Sequence, residues 1–391
     1  MFFNKLKLKS KNIEIMCSSM IIGGMLFFLP ILALYYEKTL FNIANVAIIF
    51  SIEAIAFALF EMPTGAIADL FGRKRTIILA HITVLIGFIF LYIGGSMLMF
   101  IFYAIINSFA RSLFSGTDSA IIYDTLKEEG KEKSYKKIIG AYYALWSLGA
   151  SIASIIGGYL ATISLTFPIL IAFIPQLIAL ILILFLKEPK YEKEDHKNIL
   201  KHMINSSKLI INNKQIMLLM GGGFILMGMG EAIHYLGPLF FEFKSIPIKY
   251  FGWITAFVFG LSSIGHYTSH AISEKIGNKT ALLMSAFGSP ILLLLATFTT
   301  GISSIALFVI PSFFFGIRNP IIDHLLNIEV ASSKRATILS TLNFLSQIGL
   351  AIFAPFIGYF AELYTINTAF MISASILFIA PLLYSFIQDK E

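Results

Sequence analysis

The chain has 391 residues, of which 57% are hydrophobic and only 13% are charged, against about half apolar and a quarter charged in soluble domains. A mean hydropathy of +0.83, with apolar runs of roughly 20 residues recurring from end to end, excludes a soluble globule and specifies a polytopic helical membrane protein. The runs do not alternate with period two, which excludes a porin-type barrel. The net charge of +7 sits in short loops between apolar runs, so it reads as membrane topology and not as a nucleic-acid surface.

The basic start, MFFNKLKLKSKN, leads into an apolar stretch that is too long for a signal core and lacks a small-residue cleavage site. It is expected to be an uncleaved first span. Polar and Gly/Pro punctuation then gives twelve spans, at about 13–36, 42–70, 75–95, 97–124, 135–161, 164–186, 216–241, 248–273, 279–301, 303–328, 335–362 and 366–387. The one long polar gap divides an amino-terminal six-helix bundle (1–186) from a carboxy-terminal one (216–391) by a cytoplasmic central loop (187–215). Cys17 is the single cysteine, so no intrachain disulfide exists.

Charge tests this division. With residue 1 in the cytoplasm, 24 of the 29 Lys and Arg fall on that side, while Lys38, Lys244 and Lys249 fall outside and Arg111 and Arg318 lie within spans. That asymmetry satisfies the positive-inside rule. A multi-pass plasma-membrane protein with both termini cytoplasmic is expected.

Ionisable residues inside spans are costly and therefore candidates for function, at about 2.5–3.5 kcal/mol each on insertion scales. Span 2 carries Glu53 near mid-depth and Glu61 deeper. For Glu61 a structural role and a coupling role both stay open. In span 4, Arg111, Ser115 and Asp118 stand at i, i+4 and i+7 and are expected on one helix face, with a buried Arg111–Asp118 pair as one outcome. Span 7, GGGFILMGMGEAIHY, combines five glycines with Glu231 and His234; the glycines suit either local unwinding beside a cavity or close packing. Span 10 offers Arg318, Asn319, Asp323 and Asn327. The His266, His270 and Glu274 series has the spacing of a metal-binding pair but lacks a third ligand nearby, so no metal site is expected. Tyr142, Tyr143 and Trp146 cluster in span 5.

The halves echo each other. DLFGRK (69–74) after span 2 is answered by EKIGNK (274–279) after span 8, and Arg111 by Arg318. Such duplication suggests alternating access around a midplane site. The segment GAIADLFGRKR resembles the signature between spans 2 and 3 of the major facilitator superfamily, which Gly65, Asp69, Gly72, Arg73 and Lys74 match position by position. The resemblance implies an all-α fold of twelve helices in two pseudo-symmetric bundles. It also implies a gating cluster, joined by Asp124 at the inner end of span 4, that latches the halves in the outward-facing state. In span 5, Gly149, Gly157 and Gly158 fit the pattern of the family's exporters, whereas Ala153 and Ser154 stand where Gly and Pro would be.

That likeness implies a proton-driven exporter of small apolar or amphipathic compounds, similar to the drug:proton antiporter branch. Glu53, Asp118, Glu231 and His234 are then the proton-coupling candidates. The alternative is a proton-coupled importer or facilitator of a sugar or organic acid, which Arg111 and Arg318 favour because an anion would need them; Asp323 is a further substrate or proton-coupling candidate on the polar stripe of span 10. The absence of a Gly-x-x-x-x-Gly-Lys-Ser/Thr loop argues against direct ATP drive. No enzymatic activity, cofactor or nucleic-acid partner is expected, and the chain is expected to act as a monomer in the bilayer.

Overall fold

Lipid leaves backbone polar groups no partner outside the chain, so apolar segments of this length must close their hydrogen bonds as helices. The computed structural model describes residues 10–190, 213–331 and 334–388, with the side chains of 62, 63, 65–70 and 336 outside the description. It is all-helical among those residues. Spans 2 (Ile43–Phe71), 3 (Arg73–Ile93), 5 (Tyr135–Leu160), 6 (Phe167–Leu184), 7 (Lys214–Phe243), 8 (Phe251–Ile276), 9 (Asn278–Phe298) and 11 (Arg335–Leu363) are single helices. Most of the central loop lies outside the described residues.

The other four are interrupted, a correction to the uniform spans expected. Span 1 consists of Lys11–Gly23 and Leu32–Leu40 with a 3₁₀ turn at Leu29–Ile31 between them. Its break falls at Gly24, where a Cβ would lie 2.9 Å from the Trp146 carbonyl oxygen. Among the described residues eleven helices are long and apolar enough to cross a membrane; span 1 is the twelfth crossing, divided into shorter pieces. Span 4 consists of Met97–Phe114 and Thr117–Glu128, hinged at Gly116 with φ +76°, a conformation only glycine adopts without strain. Span 10 consists of Gly301–Val309 and Pro311–Glu329. Span 12, Ile366–Leu377 and Ile379–Ser385, breaks ahead of Pro381, whose nitrogen has no hydrogen to continue the ladder.

The packing repeats with a step of six spans. Span 2 packs on 4 as 8 packs on 10, span 3 on 6 as 9 on 12, and span 1 on 5 as 7 on 11. Each of the first two pairs also carries a serine-to-carbonyl hydrogen bond at 2.8 Å, from span 4 to span 2 in one half (Ser108 to Glu53) and in the opposite sense, from span 8 to span 10, in the other (Ser269 to Ile317). Turn glycines correspond too, Gly72 at φ +94° and Gly277 at φ +84°. Two bundles related by this pseudo-symmetry meet along span 2 against span 11 and span 5 against span 8.

The five glycines of span 7 do not unwind it. Gly228 lies against Gly349 of span 11 and Gly222 against the Tyr384 ring, so close helix approach is their use. Gly230 has nothing within 4 Å of its Cβ position and lines the central cavity.

Candidate functional site

Both bundles meet most closely at the face opposite residues 10 and 388, here termed the far face. Lys38 at the end of span 1 pairs with Glu242 at the end of span 7 at 2.6 Å, and the Ile43 amide donates to Glu362 at 2.9 Å. Trp253 donates from its indole to the Tyr159 hydroxyl at 3.4 Å. Gly158 and Gly252 let spans 5 and 8 touch through their backbones, a Cβ on Gly158 falling 2.9 Å from the Lys249 carbonyl. Deeper contacts, Ser51 to the Ala351 carbonyl at 2.6 Å and Trp146 against Phe259, reach mid-depth. Toward the near face Tyr267 is 90% exposed, and His270 and Glu274 form an exposed pair at 3.7 Å.

Between the bundles lie adjoining cavities. One of about 550 Å³ is walled mainly by spans 7, 8, 10 and 11, and one of about 510 Å³ mainly by spans 1 to 5. Their size suits a small metabolite, within the roughly 300–1,000 Å³ of ligand pockets. Glu231 and His234 of span 7 line the first and face Arg111 in a smaller connecting space.

Glu53 and Arg111 form the charged centre of the amino-terminal half. The Arg111 guanidinium donates to Glu53 Oε1 at 3.0 Å, and the Asn107 amide donates to the same oxygen at 3.2 Å. Phe57 lies under the guanidinium, 4.8 Å from ring centroid to Cζ. Glu53 is 8% exposed in its side chain while Arg111 is 39% exposed, so the arginine presents the pair's polar edge to the cavity. The Arg111–Asp118 pair is thereby corrected. The turn at Gly116 takes Asp118 off the Arg111 face, and Asp118 accepts instead from the Ser119 amide at 2.6 Å at the start of the second helical piece. Glu61 accepts from Ser115 at 3.3 Å and reaches the larger cavity.

Arg318 occupies the corresponding place in the other half without the corresponding acid. It is 3% exposed, and among the described residues its one hydrogen bond goes to Ser289 at 3.4 Å. Asp323 is exposed, outside the cavity lining, near His266. It does not join Arg318 as a site. Among the described residues no group of His, Cys, Asp or Glu has metal-binding geometry.

At the near face Arg73 pairs with Asp124, bringing together two residues of the expected gating cluster. Gly65 and Asp69 belong to that expectation, but their side-chain surroundings lie outside the described residues. Sequence reading missed Glu188, just beyond span 6, which accepts from the Arg73 and Lys74 amides at 2.8 and 2.9 Å. Its carboxylate satisfies free amides at the positive end of span 3. Because Glu188 is exposed, Glu188→Ala is expected to cost about 0.5–1 kcal/mol of stability, readable as a lowered thermal midpoint. An unchanged midpoint would remove the capping role. The residues Asn107, Ser289, Asn343 and Gln347 were likewise missed, because neutral polar residues in a span carry no charge signal.

Two pseudo-symmetric bundles around a central cavity, with a few charged and amide groups set in a largely apolar wall, define a membrane carrier and no enzyme. The family model described as Major Facilitator Superfamily matches residues 15–328, and the chain belongs to that superfamily: it is a multi-pass secondary transporter working by alternating access. It is 23% identical to the uncharacterized MFS-type transporter YxaM of Bacillus subtilis (strain 168) over 380 residues, 92% of this chain and 91% of that one. It is 25% identical to the cis,cis-muconate transport protein of Acinetobacter baylyi (strain ATCC 33305 / BD413 / ADP1) over 361 residues, 86% of this chain and 84% of that one. Among solved structures it resembles the nucleoside transporter NupG, with TM-score 0.82, 16% identity and coverage of 98% and 100%. It also resembles a D-xylose-proton symporter, with TM-score 0.77, 14% identity and coverage of 97% and 98%.

Proposed function

We propose that this transporter carries a small polar metabolite across the plasma membrane, with organic acids ahead of sugars and nucleosides. The observation that supports this most is the cavity lining: Glu53–Arg111 from one half and Arg318, Asn343 and Gln347 from the other. Drug export, the leading expectation from sequence, would not call for this set of charged and amide groups in the wall, and none of the relatives and structures named above is described as a drug exporter. The muconate-transporting relative and the nucleoside- and xylose-transporting structural neighbours favour the polar reading instead.

Protons are the proposed coupling ion. Among the described residues Glu61, Asp118 and Glu231 are cavity acids without an ion pair, and Glu231 is the one of the three with no side-chain hydrogen bond; a carboxylate facing a cavity without a fixed partner is suited to load and release a proton. Glu231→Gln is expected to reduce accumulation driven by a pH gradient by at least tenfold while leaving counterflow exchange measurable. Equal loss of both would make Glu231 a substrate contact and not a coupling group.

The class is tested by counterflow in proteoliposomes with xylose, uridine, benzoate and cis,cis-muconate alongside an apolar cationic dye. Saturable exchange of at least one polar compound is expected. Exchange confined to the dye would return the assignment to efflux.

A further inference from the structure

We propose that Arg318 is the anchor for a carboxylate on the transported molecule, and that the substrate is an organic acid with a flat, largely apolar body. The inference rests on the polar-metabolite reading above and narrows it. A guanidinium removed from water is costly unless a counter-charge or a full set of acceptors replaces the lost hydration. Arg111 meets that requirement through Glu53. Arg318 does not: it is 3% exposed, its contact with Ser289 is long at 3.4 Å, and its Nε has no acceptor among the described residues. Among the described residues no acid forms an ion pair with it, and Glu61 and Glu231, which share the cavity, pair with it neither directly nor through another side chain.

The chain has therefore placed a five-donor fork in a cavity wall and left its planar edge for something else to fill. A carboxylate matches that fork with two parallel hydrogen bonds. Around it the cavity offers neutral donors and acceptors, Ser289, Asn343 and Gln347, that assist an anion without competing for the cation. Phe259, Phe308 and Phe315 line the same space, and Phe315 lies 5.9 Å beneath the guanidinium. Rings of this kind receive a flat unsaturated or aromatic body more readily than a hydroxyl-rich one. A sugar would leave both the arginine without a counter-charge and the rings without an apolar partner.

The test is isothermal titration of the purified full-length chain with benzoate, with cis,cis-muconate and with benzamide, the neutral isostere of benzoate. The proposal expects at least one acid to bind at least tenfold more tightly than benzamide. Arg318→Gln should weaken that acid at least tenfold and equalise acid and amide, while Arg318→Lys, which keeps the charge and loses the fork, should fall between. Ser289→Ala serves as a milder second variant, expected to weaken the acid two- to fivefold if Arg318→Gln does not fold. Acid binding undiminished in the folded Arg318→Gln or Ser289→Ala protein, or equal binding of acid and amide by the unaltered chain, would overturn the proposal. Saturable counterflow of xylose or uridine with no acid binding would overturn it while leaving the polar-metabolite reading intact. Absence of saturable flux for every polar compound would count against the broader reading.

Discussion

Replacing Gly252 by leucine is expected to reduce transport more than tenfold in a protein that still folds. A Cβ at 252 meets the Ser154 carbonyl, and the Ile155 Cα lies 2.9 Å away. Neither is a flexible side chain that can yield, so the far-face contact between spans 5 and 8 cannot close around a larger residue. Overpacking of this kind costs about 1–3 kcal/mol or more. That cost falls only on the arrangement in which spans 5 and 8 touch, so it shifts the balance of states roughly 5- to 150-fold away from it. The measurable sign is the reactivity of a thiol at Gly230→Cys, in a Cys17→Ser background, toward an impermeant reagent. Gly252→Leu should raise labelling from the far face and lower it from the near face. Unchanged labelling with normal transport would mean that the glycine contact has no part in the cycle.

Separating Glu53 from Arg111 is expected to have an effect of similar size by a different route. Glu53→Gln leaves a guanidinium over Phe57 with only a neutral amide beside it; Arg111→Gln leaves a carboxylate that is 8% exposed. Because the arginine is more than a third open to the cavity, solvent offsets part of the loss, and a cost of about 1–3 kcal/mol is the appropriate scale for either change. Transport should fall more than tenfold in each single variant. Combining Glu53→Gln with Arg111→Gln should restore most of the thermal midpoint, since no uncompensated charge remains, without restoring transport. Additive losses of midpoint in the double variant would show that the two side chains do not act as a pair.

The sequence carried the crossings clearly because lipid sets a coarse requirement of about 20 apolar residues per crossing; the cations gathered in the loops on one side set an expected sidedness. It did not carry the interruptions, because glycine and proline have two uses within a membrane. Gly116 turns span 4 and Gly24 marks the break in span 1, whereas six glycines and Pro238 sit in a continuous span 7. What separates the cases is tertiary, a facing backbone such as Gly349 against Gly228. The same limitation explains the mistaken Arg111–Asp118 face. Spacing within one helix predicted it, and the actual partner, Glu53, comes from another helix 58 positions away. Arg73 with Asp124 was legible through the family signature, whereas Glu188 matched no pattern and was found only where the chain folds back onto span 3. Arg318 was visible as a charge in a span; that it lacks a counter-charge required the fold.

The central claim is that the two bundles alternate between closure at the far face and closure at the near face around the central cavities. Its most direct test is a pair of spin-label distances between spans 5 and 8 in a Cys17→Ser background, with Thr162→Cys and Lys249→Cys reporting the far face and Lys137→Cys and Glu274→Cys the near face. Adding a transported compound, or introducing Gly252→Leu, should lengthen the far-face distance and shorten the near-face distance together. Two distances that stay fixed under both conditions, while transport proceeds in the unsubstituted chain, would contradict the account.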